Sequence, residues 1–311
     1  MIKSSFIFQL ADTLSKQMGK APLASVTPVS MYPDEQGYSG AKLVRLNCTF
    51  SDGETGSFVC KYAGLPERMV MQTLTDQKRA HSPFSYTDGN ETKERAWFIM
   101  QDVRTSESIP QDTNLWKRKT AAALADIHTD NLMCADQLPH LPHADEEYWN
   151  HITTQISISH LEKRCAEDNA FAARYAGMLP KLHKCAERYV HDMTALYRDG
   201  TSLTVTHGDL QTIHGDHVRC FQGKPMIIDW GFSRYAPLYI DLVDYFTPEE
   251  ALLYYEELQN RGIAISKNDF TEGYRMAAAY PAFIYLYPAL VQYNRGSAAR
   301  LDHLLSILCK G

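Results

Sequence analysis

Long hydrophobic runs are missing from this sequence. No stretch of about eighteen consecutive apolar residues occurs, which is the length that a helix needs to cross a bilayer, so we expect no transmembrane helix and no membrane partner. The first residues, MIKSSFIFQLADTLSK, include a lysine and a short apolar patch that polar residues interrupt almost at once. This pattern favours an amphipathic helix over a signal peptide.

Patterned cysteines and an excess of positive charge are also missing. The seven cysteines among 311 residues form no CxxC pair and are odd in number, which argues against a disulfide framework and is typical of the reducing cytosol. The formal net charge is −6, whereas nucleic-acid binding calls for basic surfaces. We therefore expect a cytoplasmic protein without a nucleic-acid partner.

What is present fits a globular protein. Hydrophobic residues make up 44% of the chain and charged residues 22%, which are ordinary values for a packed domain. The length suits one large domain or two lobes. The sequence contains no internal repeat of domain size and no low-complexity tract.

The candidate catalytic and metal-binding residues lie in the stretch of residues 203–245. The apolar run Leu203–Thr206 predicts a strand that delivers His207-Gly208-Asp209 to a loop. Two further short strands, joined by a glycine-bearing turn, are predicted at Val218–Phe221 and Pro225–Asp229. Asp209 and Asp229, twenty positions apart, therefore each lie where an apolar strand meets a loop. Phosphoryl transfer to a hydroxyl needs this layout, because one carboxylate takes the proton while another holds the magnesium that bridges the phosphates.

These residues carry a family resemblance. His207-Gly208-Asp209 resembles the HGD catalytic-loop motif of the aminoglycoside phosphotransferase and choline kinase-like family, relatives of the protein kinases. Ile228-Asp229-Trp230-Gly231 resembles the metal-binding IDW motif of that family. Ala236-Pro237 and Asp241-Leu242 resemble its GP…DL segment, with Ala in place of Gly. The resemblance implies that Asp209 is the catalytic base and that Asp229 ligates the metal ion, with Asp241 as a structural residue that braces the loop or caps the next segment of the chain.

One position departs from the family pattern. Five positions after the catalytic Asp the family usually carries a metal-ligating Asn, and here that position is His214. Imidazole is a poor ligand for magnesium, because hard cations prefer oxygen. The alternatives are that Asp229 and water carry the coordination, that the site takes manganese together with His214, that activity is reduced, or that His214 only forms hydrogen bonds within the loop.

The HGD triplet occurs twice, at residues 207–209 and 214–216. The second copy lacks a preceding apolar strand, so we assign catalysis to Asp209. The concentration of histidines and aspartates here also permits a rival hypothesis, a metal-dependent hydrolase. That hypothesis predicts no nucleotide-binding lobe, so the N-terminal half of the chain discriminates between the two.

The N-terminal half has the pattern of such a lobe. A strand at Val26–Ser30, a polar loop, and strands at Ala41–Phe50 and Gly56–Tyr62 follow one another, the last of them carrying Lys61. This order resembles the nucleotide-binding lobe of kinase-like folds. The resemblance implies that Lys61 pairs with the α- and β-phosphates. It further implies that loop amides cover the phosphates, at Gly37, Ser39 and Gly40.

The partner of Lys61 is left open. Kinase folds usually pair this lysine with a glutamate on the next helix, which is predicted at Pro66–Ala80. Its clear glutamate, Glu67, lies only six residues beyond Lys61, and a partner in the middle of the helix would have to be Gln72 or Asp76.

The following strand, Ala96–Val103, resembles the one that leads into the hinge between the lobes. By this resemblance the backbone groups of Gln101 and Val103 bind adenine. Its position predicts a lobe boundary near residue 103.

Helical patterns dominate the remainder of the chain, beginning at Leu115–Thr129. In the family such helices build the acceptor pocket. The aromatic side chains from Tyr245 onward could hold a cationic amine, and the acidic Asp244, Glu249 and Glu250 could hold ammonium groups. Helix packing is the alternative explanation for each of them.

The sequence thus predicts a two-lobed, protein-kinase-like α+β fold, with a sheet-rich nucleotide-binding lobe over residues 1–103 and a helical lobe over residues 104–311. It predicts ATP-dependent phosphorylation of a hydroxyl on a small molecule, such as an aminoglycoside, a choline-like compound or another small alcohol, with Mg²⁺ or Mn²⁺ as cofactor. The alternatives are a nucleotide-binding pseudokinase without turnover and the metal-dependent hydrolase. The oligomeric state does not follow from the sequence.

Overall fold

The computed structural model describes residues 4–30, 42–78, 81–88, 92–103, 110–212 and 215–309. The chain divides into two compact units. The first comprises Met1–Asp130, Leu138–Leu141 and His217–Ser233, and the second Asn131–Gln137, Pro142–Asp216 and Arg234–Gly311. The predicted boundary near residue 103 concerns the extent of a nucleotide-binding lobe and stays a prediction.

The first unit contains a five-stranded antiparallel sheet within its described residues. The strands are β1 (Leu23–Ser30), β2 (Lys42–Phe50), β3 (Thr55–Gly64), β4 (Ser85–Thr87) and β5 (Arg95–Gln101), in the spatial order β1-β2-β3-β5-β4. The strands predicted for this half of the chain are confirmed, with differences at the strand ends, whereas β4 lies in a polar stretch for which no strand is predicted.

One face of this sheet is covered by the helix α1 (Ser4–Gln17), which the apolar spacing of the N-terminus predicts. Ile7, Leu10 and Leu14 recur at helical spacing and are buried, so they form a single apolar face. They pack in one core with alternate residues of β2, namely Leu46, Cys48 and Phe50. Each such buried side chain stabilises the fold by roughly 1.5–3 kcal/mol.

Two further helices and a hairpin complete the first unit. The helices are α2 (Leu65–Asp76) and α3 (Thr113–Asp130). Farther along the chain, after strands of the second unit, the predicted hairpin pairs β9 (Val218–Phe221) with β10 (Lys224–Ile227). Its two turn residues, Gln222 and Gly223, have φ angles of 51° and 69°. A two-residue turn with positive φ at both positions matches the right-handed twist of the strands that it joins.

The second unit is mainly helical. Its helices are α4 (Glu146–Asn150), a π-helical segment (His151–Ile158), α5 (Ser159–Glu167), α6 (Asn169–Tyr175), α7 (Leu179–Asp199), α8 (Tyr239–Tyr245), α9 (Ala251–Asn260), α10 (Lys267–Ala277), α11 (Tyr280–Tyr293) and α12 (Ala299–Cys309). Two short antiparallel pairs accompany them: β6 (Leu203–Thr206) with β11 (Arg234–Pro237), and β7 (Gln211–Thr212) with β8 (Gly215–Asp216).

The start of α9 is stabilised by a capping box that involves Thr247 and Glu250. Thr247 Oγ1 accepts a hydrogen bond from the Glu250 amide at 3.3 Å, and the Thr247 amide donates to Glu250 Oε2 at 3.0 Å. This reciprocal capping box satisfies two amides that the helix leaves unpaired. The regular helix begins at Ala251 rather than directly after Thr247. Glu250, suggested above as an ammonium ligand, therefore serves this cap.

Within the described ranges, no helix combines the length and the hydrophobicity needed to cross a bilayer.

Candidate active site

Lys61 lies near the end of β3 and is buried, with 5% of its surface exposed. Its Nζ donates to Glu67 Oε1 and to Asp229 Oδ1, both at 2.5 Å. A buried ammonium needs such partners, because an unpaired charge in the interior is costly. The sequence predictions for Lys61 and Asp229 thus meet in one cluster of the first unit, together with Glu67.

The charges of this cluster are coupled. Burial alone lowers the pKa of Lys61, but the neighbouring carboxylates of Glu67 and Asp229 outweigh it, and the net shift is upward. Burial raises the pKa of Glu67, and the second carboxylate adds to that rise, while Lys61 opposes it. The two carboxylates thus dominate the shift of Lys61, and burial dominates the shift of Glu67.

The position of Glu67 corrects the search for a partner in the middle of α2. β3 ends at Gly64 and α2 begins at Leu65, so no linker separates the strand from the helix. Glu67 consequently lies in the first turn of α2, close enough for Lys61 to reach it. Gln72, the candidate in the middle of the helix, donates instead to Asp76 at 2.9 Å.

We expect the Glu67→Gln variant to separate stability from activity. Because the folded-state pKa of Glu67 is raised, its contribution to stability is present below its usual pKa and is lost as the pH rises through the folded value. As the pH rises from about 4 to 8, the urea concentration at which the wild type unfolds should therefore fall relative to that of the variant. Its kcat/KM should fall by about 10- to 100-fold, because Lys61 loses the contact that holds it in place.

Glu94→Gln, on an exposed residue of the same unit, is the matched control. A difference in unfolding midpoint between the wild type and Glu67→Gln that does not change with pH, together with retained activity, would contradict this account of the pair.

Asp229 has an unusual backbone conformation, with φ 63° and ψ 64°. This left-handed region is sparsely populated by non-glycine residues, although Asp tolerates it better than most. Its neighbours are anchored: the Ile228 amide donates to the His217 carbonyl at 3.0 Å, and the buried Trp230 indole donates to the Ile227 carbonyl at 3.1 Å. The surrounding structure therefore fixes the direction in which the Asp229 carboxylate points.

The Asp229 carboxylate fits the requirements of a hard cation. Its side chain is 49% exposed, and Oδ2 lies 3.8 Å from His217 Nε2 while Oδ1 contacts Lys61. Magnesium takes one or two protein carboxylates together with phosphates and water, so a dedicated cage of protein ligands is not needed. Among the described residues there is no group of three or more His, Cys, Asp or Glu side chains placed to hold a metal ion. His214, the second predicted metal ligand, lies outside the described residues.

The HGD loop of the second unit is held by Asp241. The carboxylate of this buried residue accepts hydrogen bonds from the amides of His207 at 2.7 Å and Gly208 at 2.8 Å. The expectation that Asp241 braces the loop is confirmed. His207 is itself buried, and its Nδ1 accepts from the Asp209 amide at 3.2 Å, so the first residue of the motif has a structural role.

Asp244, one helical turn after Asp241 on α8, holds the next part of the loop. Its Oδ2 accepts from the amides of Leu210 at 2.6 Å and Gln211 at 3.0 Å. Residues three apart lie on the same face of a helix, so two carboxylates of α8 accept hydrogen bonds from successive amides of the loop. Asp244 is only 6% exposed, which corrects the suggestion that it holds an ammonium group of a ligand.

Two tyrosines of α11 also reach the HGD loop. The Tyr280 hydroxyl donates to the Gly208 carbonyl at 2.7 Å, and the Tyr285 hydroxyl contacts Asp209 Oδ1 at 2.7 Å. Tyr285 also lies 3.2 Å from Asp244 Oδ2. Asp209 is half-buried, whereas Tyr280 and Tyr285 are buried. Contacts with buried residues therefore position Asp209 while part of the residue remains accessible.

The predicted adenine-binding residues lie at the end of β5 in the first unit. The Gln101 amide donates to the Phe84 carbonyl at 2.8 Å, so that donor is already used. Val103 has no hydrogen bond to another described residue, and its binding of adenine stays a prediction. The predicted phosphate-covering residues Gly37, Ser39 and Gly40 lie outside the described residues.

Sequence reasoning missed Asp244 and Tyr285 as supports of Asp209 and did not decide on Glu67. Glu67 had a usable signal, because it is the only glutamate of the helix that follows Lys61. The i, i+3 spacing of Asp241 and Asp244 could have indicated a shared face. No local signal marks Tyr285, which meets Asp209 from 76 residues away along the chain.

Comparisons with known proteins agree with this geometry. The family model described as "Phosphotransferase enzyme family" matches residues 62–279, a span that includes Asp209 and Asp229 and begins just after Lys61. No curated protein matches the sequence.

Solved structures resemble the whole chain at low sequence identity. A choline kinase from Cryptosporidium parvum Iowa II has a TM-score of 0.61 at 11% identity, covering 98% of this chain and 95% of that one. A spectinomycin phosphotransferase in complex with ADP and spectinomycin has a TM-score of 0.53 at 15% identity, with coverages of 99% and 94%. A macrolide 2'-phosphotransferase from Brachybacterium faecium has a TM-score of 0.52 at 13% identity, with coverages of 96% and 97%. These similarities confirm the predicted kinase-like α+β fold.

Proposed function

This chain belongs to the phosphotransferase enzyme family, and from that membership we propose that it transfers the γ-phosphoryl group of ATP to a hydroxyl of a small molecule. The observation that carries the proposal is the cluster in which the buried Lys61 contacts both the buried Glu67 and the half-exposed Asp229. In kinase-like enzymes a strand lysine paired with a helix glutamate, beside a metal-binding aspartate, holds the phosphates for transfer. The alternative of a zinc-type hydrolase has no support in the family match.

In the proposed reaction Lys61, Glu67 and Asp229 have separate roles. Lys61, fixed by Glu67, binds the α- and β-phosphates of the nucleotide. Asp229, with its accessible carboxylate, would hold the metal ion. When bound, magnesium supplies positive charge that neutralises the charge developing on the phosphates.

Asp209 has the other part of the chemistry. Its carboxylate orients the acceptor hydroxyl and accepts the proton as the hydroxyl oxygen bonds to the γ-phosphorus and the bond to ADP breaks. The accessible part of Asp209 is consistent with this role, and the bracing by Asp241 limits the movement of the loop. Positioning of this kind is the main contribution of such enzymes.

The acceptor class is a small molecule that bears a hydroxyl. The similarity to a spectinomycin phosphotransferase and to a choline kinase supports this class without selecting one acceptor. We place the protein in the cytoplasm as part of the proposal, because its seven cysteines are all free and scattered.

Thermal unfolding with and without ligands tests the proposal. ATP or ADP with Mg²⁺ or Mn²⁺ should raise the melting temperature, because a ligand that binds only the folded state stabilises it by about 2.7 kcal/mol at one hundred times its Kd. Phosphate transfer from ATP to a panel of small alcohols then measures the reaction. The absence of any nucleotide-dependent shift under either metal would refute ATP binding and with it the proposal.

His214 favours a second candidate, a nucleotide-binding protein without turnover. An imidazole replaces the usual amide ligand at this position, and imidazole suits magnesium poorly. A melting-temperature shift with nucleotide, combined with no transfer to any acceptor and no release of phosphate from ATP, would support this candidate. His214→Asn should then restore measurable turnover.

A further inference from the structure

The carboxyl group of Asp244 has an uneven environment. Its Oδ2 accepts hydrogen bonds from two backbone amides, those of Leu210 and Gln211, and also lies within reach of the Tyr285 hydroxyl. Its Oδ1 is buried and has no hydrogen-bond partner among the described residues. Within the part of the chain that the structure describes, no lysine, arginine or histidine forms an ion pair with Asp244. A charged carboxylate in this place would bury an uncompensated charge.

Tyr285 connects this carboxyl to Asp209. Its hydroxyl has a single proton but lies near two carboxyl groups, 2.7 Å from Asp209 Oδ1 and 3.2 Å from Asp244 Oδ2. The shorter contact identifies Asp209 as the acceptor of that proton. Donation of the Tyr285 proton to Asp209 is favourable only while Asp244 is neutral, because an ionised Asp244 would compete for the same proton.

We propose that Asp244, as a neutral carboxylic acid with its proton on Oδ1, acts through the Tyr285 hydroxyl to position the carboxylate of Asp209. Asp244 and Tyr285 are positioning residues, and the inference rests on the proposed role of Asp209 as the acceptor of the substrate proton. With Oδ1 of Asp209 held by Tyr285, the rotation of the carboxylate is fixed relative to the loop.

The charges around Asp244 support a neutral acid. The ionisable groups that face it are Asp209 of the loop, Asp241 of its own helix, and Tyr280 and Tyr285 of α11. The nearest helix on the other side, α10, contributes Tyr274, whose hydroxyl bonds the Phe246 carbonyl. Burial raises the pKa of Asp244 to about 8, the two loop amides oppose the rise, and Asp209 and Asp241 add to it.

Arg300 of α12 is a cation that contacts Tyr285. Its guanidinium lies 5.1 Å from the centre of the Tyr285 ring, on the ring face rather than at the hydroxyl. It therefore stabilises the position of the ring without neutralising Asp244.

A pH dependence follows from this arrangement. Above about pH 8 Asp244 ionises, adds a second negative charge beside Asp209 and draws the Tyr285 proton toward its own Oδ2. Asp209 then loses the donor that fixes its orientation, so kcat should decline on the alkaline side. Ionisation of Asp244 causes this decline in kcat, so the decline should be absent from a variant in which residue 244 cannot ionise.

The test uses the full-length protein and three variants. The Asp244→Asn variant keeps an oxygen for the two loop amides but cannot ionise, and Tyr285→Phe removes only the hydroxyl. Tyr287→Phe is the matched control, because Tyr287 is exposed on the same helix and its ring contacts His160. Turnover is measured as phosphate release from ATP, with water in place of the acceptor hydroxyl, across about pH 6 to 10.

We expect Tyr285→Phe to lower kcat by about tenfold at neutral pH, with the KM for ATP changed by less than about twofold, since the hydroxyl orients the base and does not touch the nucleotide. Asp244→Asn should remove the alkaline decline, and Tyr287→Phe should behave as the wild type does. A wild-type kcat in Tyr285→Phe, or an alkaline decline that persists in Asp244→Asn, would overturn the inference.

A second measurement does not depend on turnover. In protein labelled with ¹³C at the aspartate carboxyl, the Asp244 signal, assigned by its loss in Asp244→Asn, should titrate near pH 8. A carboxyl that stays ionised from about pH 6 to 10 would refute the neutral acid. If the wild type shows no turnover at all, the proposed function fails while this titration still decides the inference.

Discussion

The Asp209→Asn variant is expected to lower kcat by about 10²- to 10⁴-fold, the usual contribution of a positioned general base. The amide keeps the shape of the side chain and an oxygen that accepts from Tyr285, but it cannot take a proton from the acceptor hydroxyl. Asp241 still accepts hydrogen bonds from the amides of His207 and Gly208, so the loop should stay in place. The nucleotide-induced rise in melting temperature should therefore persist.

Asp136→Asn serves as the control for Asp209→Asn, because Asp136 is an exposed aspartate on a short helical turn of the same unit. Phosphate transfer to the acceptor is measured for both variants beside the wild type. A variant at position 209 that retained more than about a tenth of wild-type kcat would exclude the residue as the base.

The second large effect is expected from Asp229→Asn. This change removes the carboxylate that would hold the metal ion, so kcat should fall by about 10²- to 10³-fold or more, as for other groups that stabilise transferring charge. It also leaves Lys61 with one charged partner, Glu67, instead of two. The rise in melting temperature caused by nucleotide should become small and should no longer depend on Mg²⁺ or Mn²⁺.

The melting temperature without ligand separates the loss of a metal ligand from simple unfolding. Asp52→Asn, on an exposed turn of the same unit, provides the reference for the removal of one negative charge. If Asp229→Asn folded normally and still showed the full metal-dependent nucleotide shift, Asp229 would not be the metal ligand.

The sequence predicted the elements that carry the proposed chemistry because their signals are local. β2 shows alternation of buried residues, and the turn at Gln222 and Gly223 sets the hairpin before Asp229. The apolar run Leu203–Thr206 forms a strand and ends at the HGD loop as expected. Short-range periodicity and turn chemistry determine such features, so they can be read from neighbouring residues.

The supports of the site could not be read in the same way. The sequence leaves the partner of Lys61 open because such a partner is expected in the middle of the helix, and it is the direct junction at Gly64 that brings Glu67 to Lys61. Tyr285 and Asp244 meet Asp209 through the packing of α8 and α11, over sequence separations that no local pattern encodes. The buried state of Asp244 likewise depends on neighbours that are distant in sequence.

The direct junction between β3 and α2 also bears on regulation. A swing of α2 relative to its strand would pivot at Gly64, and Glu67 is only three residues from that pivot, so its lever arm is about 5 Å at a rise of 1.5 Å per residue. A partner at Gln72 or Asp76 would lie about 12–18 Å from the pivot. A small rotation of the helix would then move it out of contact with Lys61. Protein kinases switch themselves off by displacing such a partner. In this chain a swing of α2 would move Glu67 only a short distance, so displacement of this helix is a poor way to separate Glu67 from Lys61.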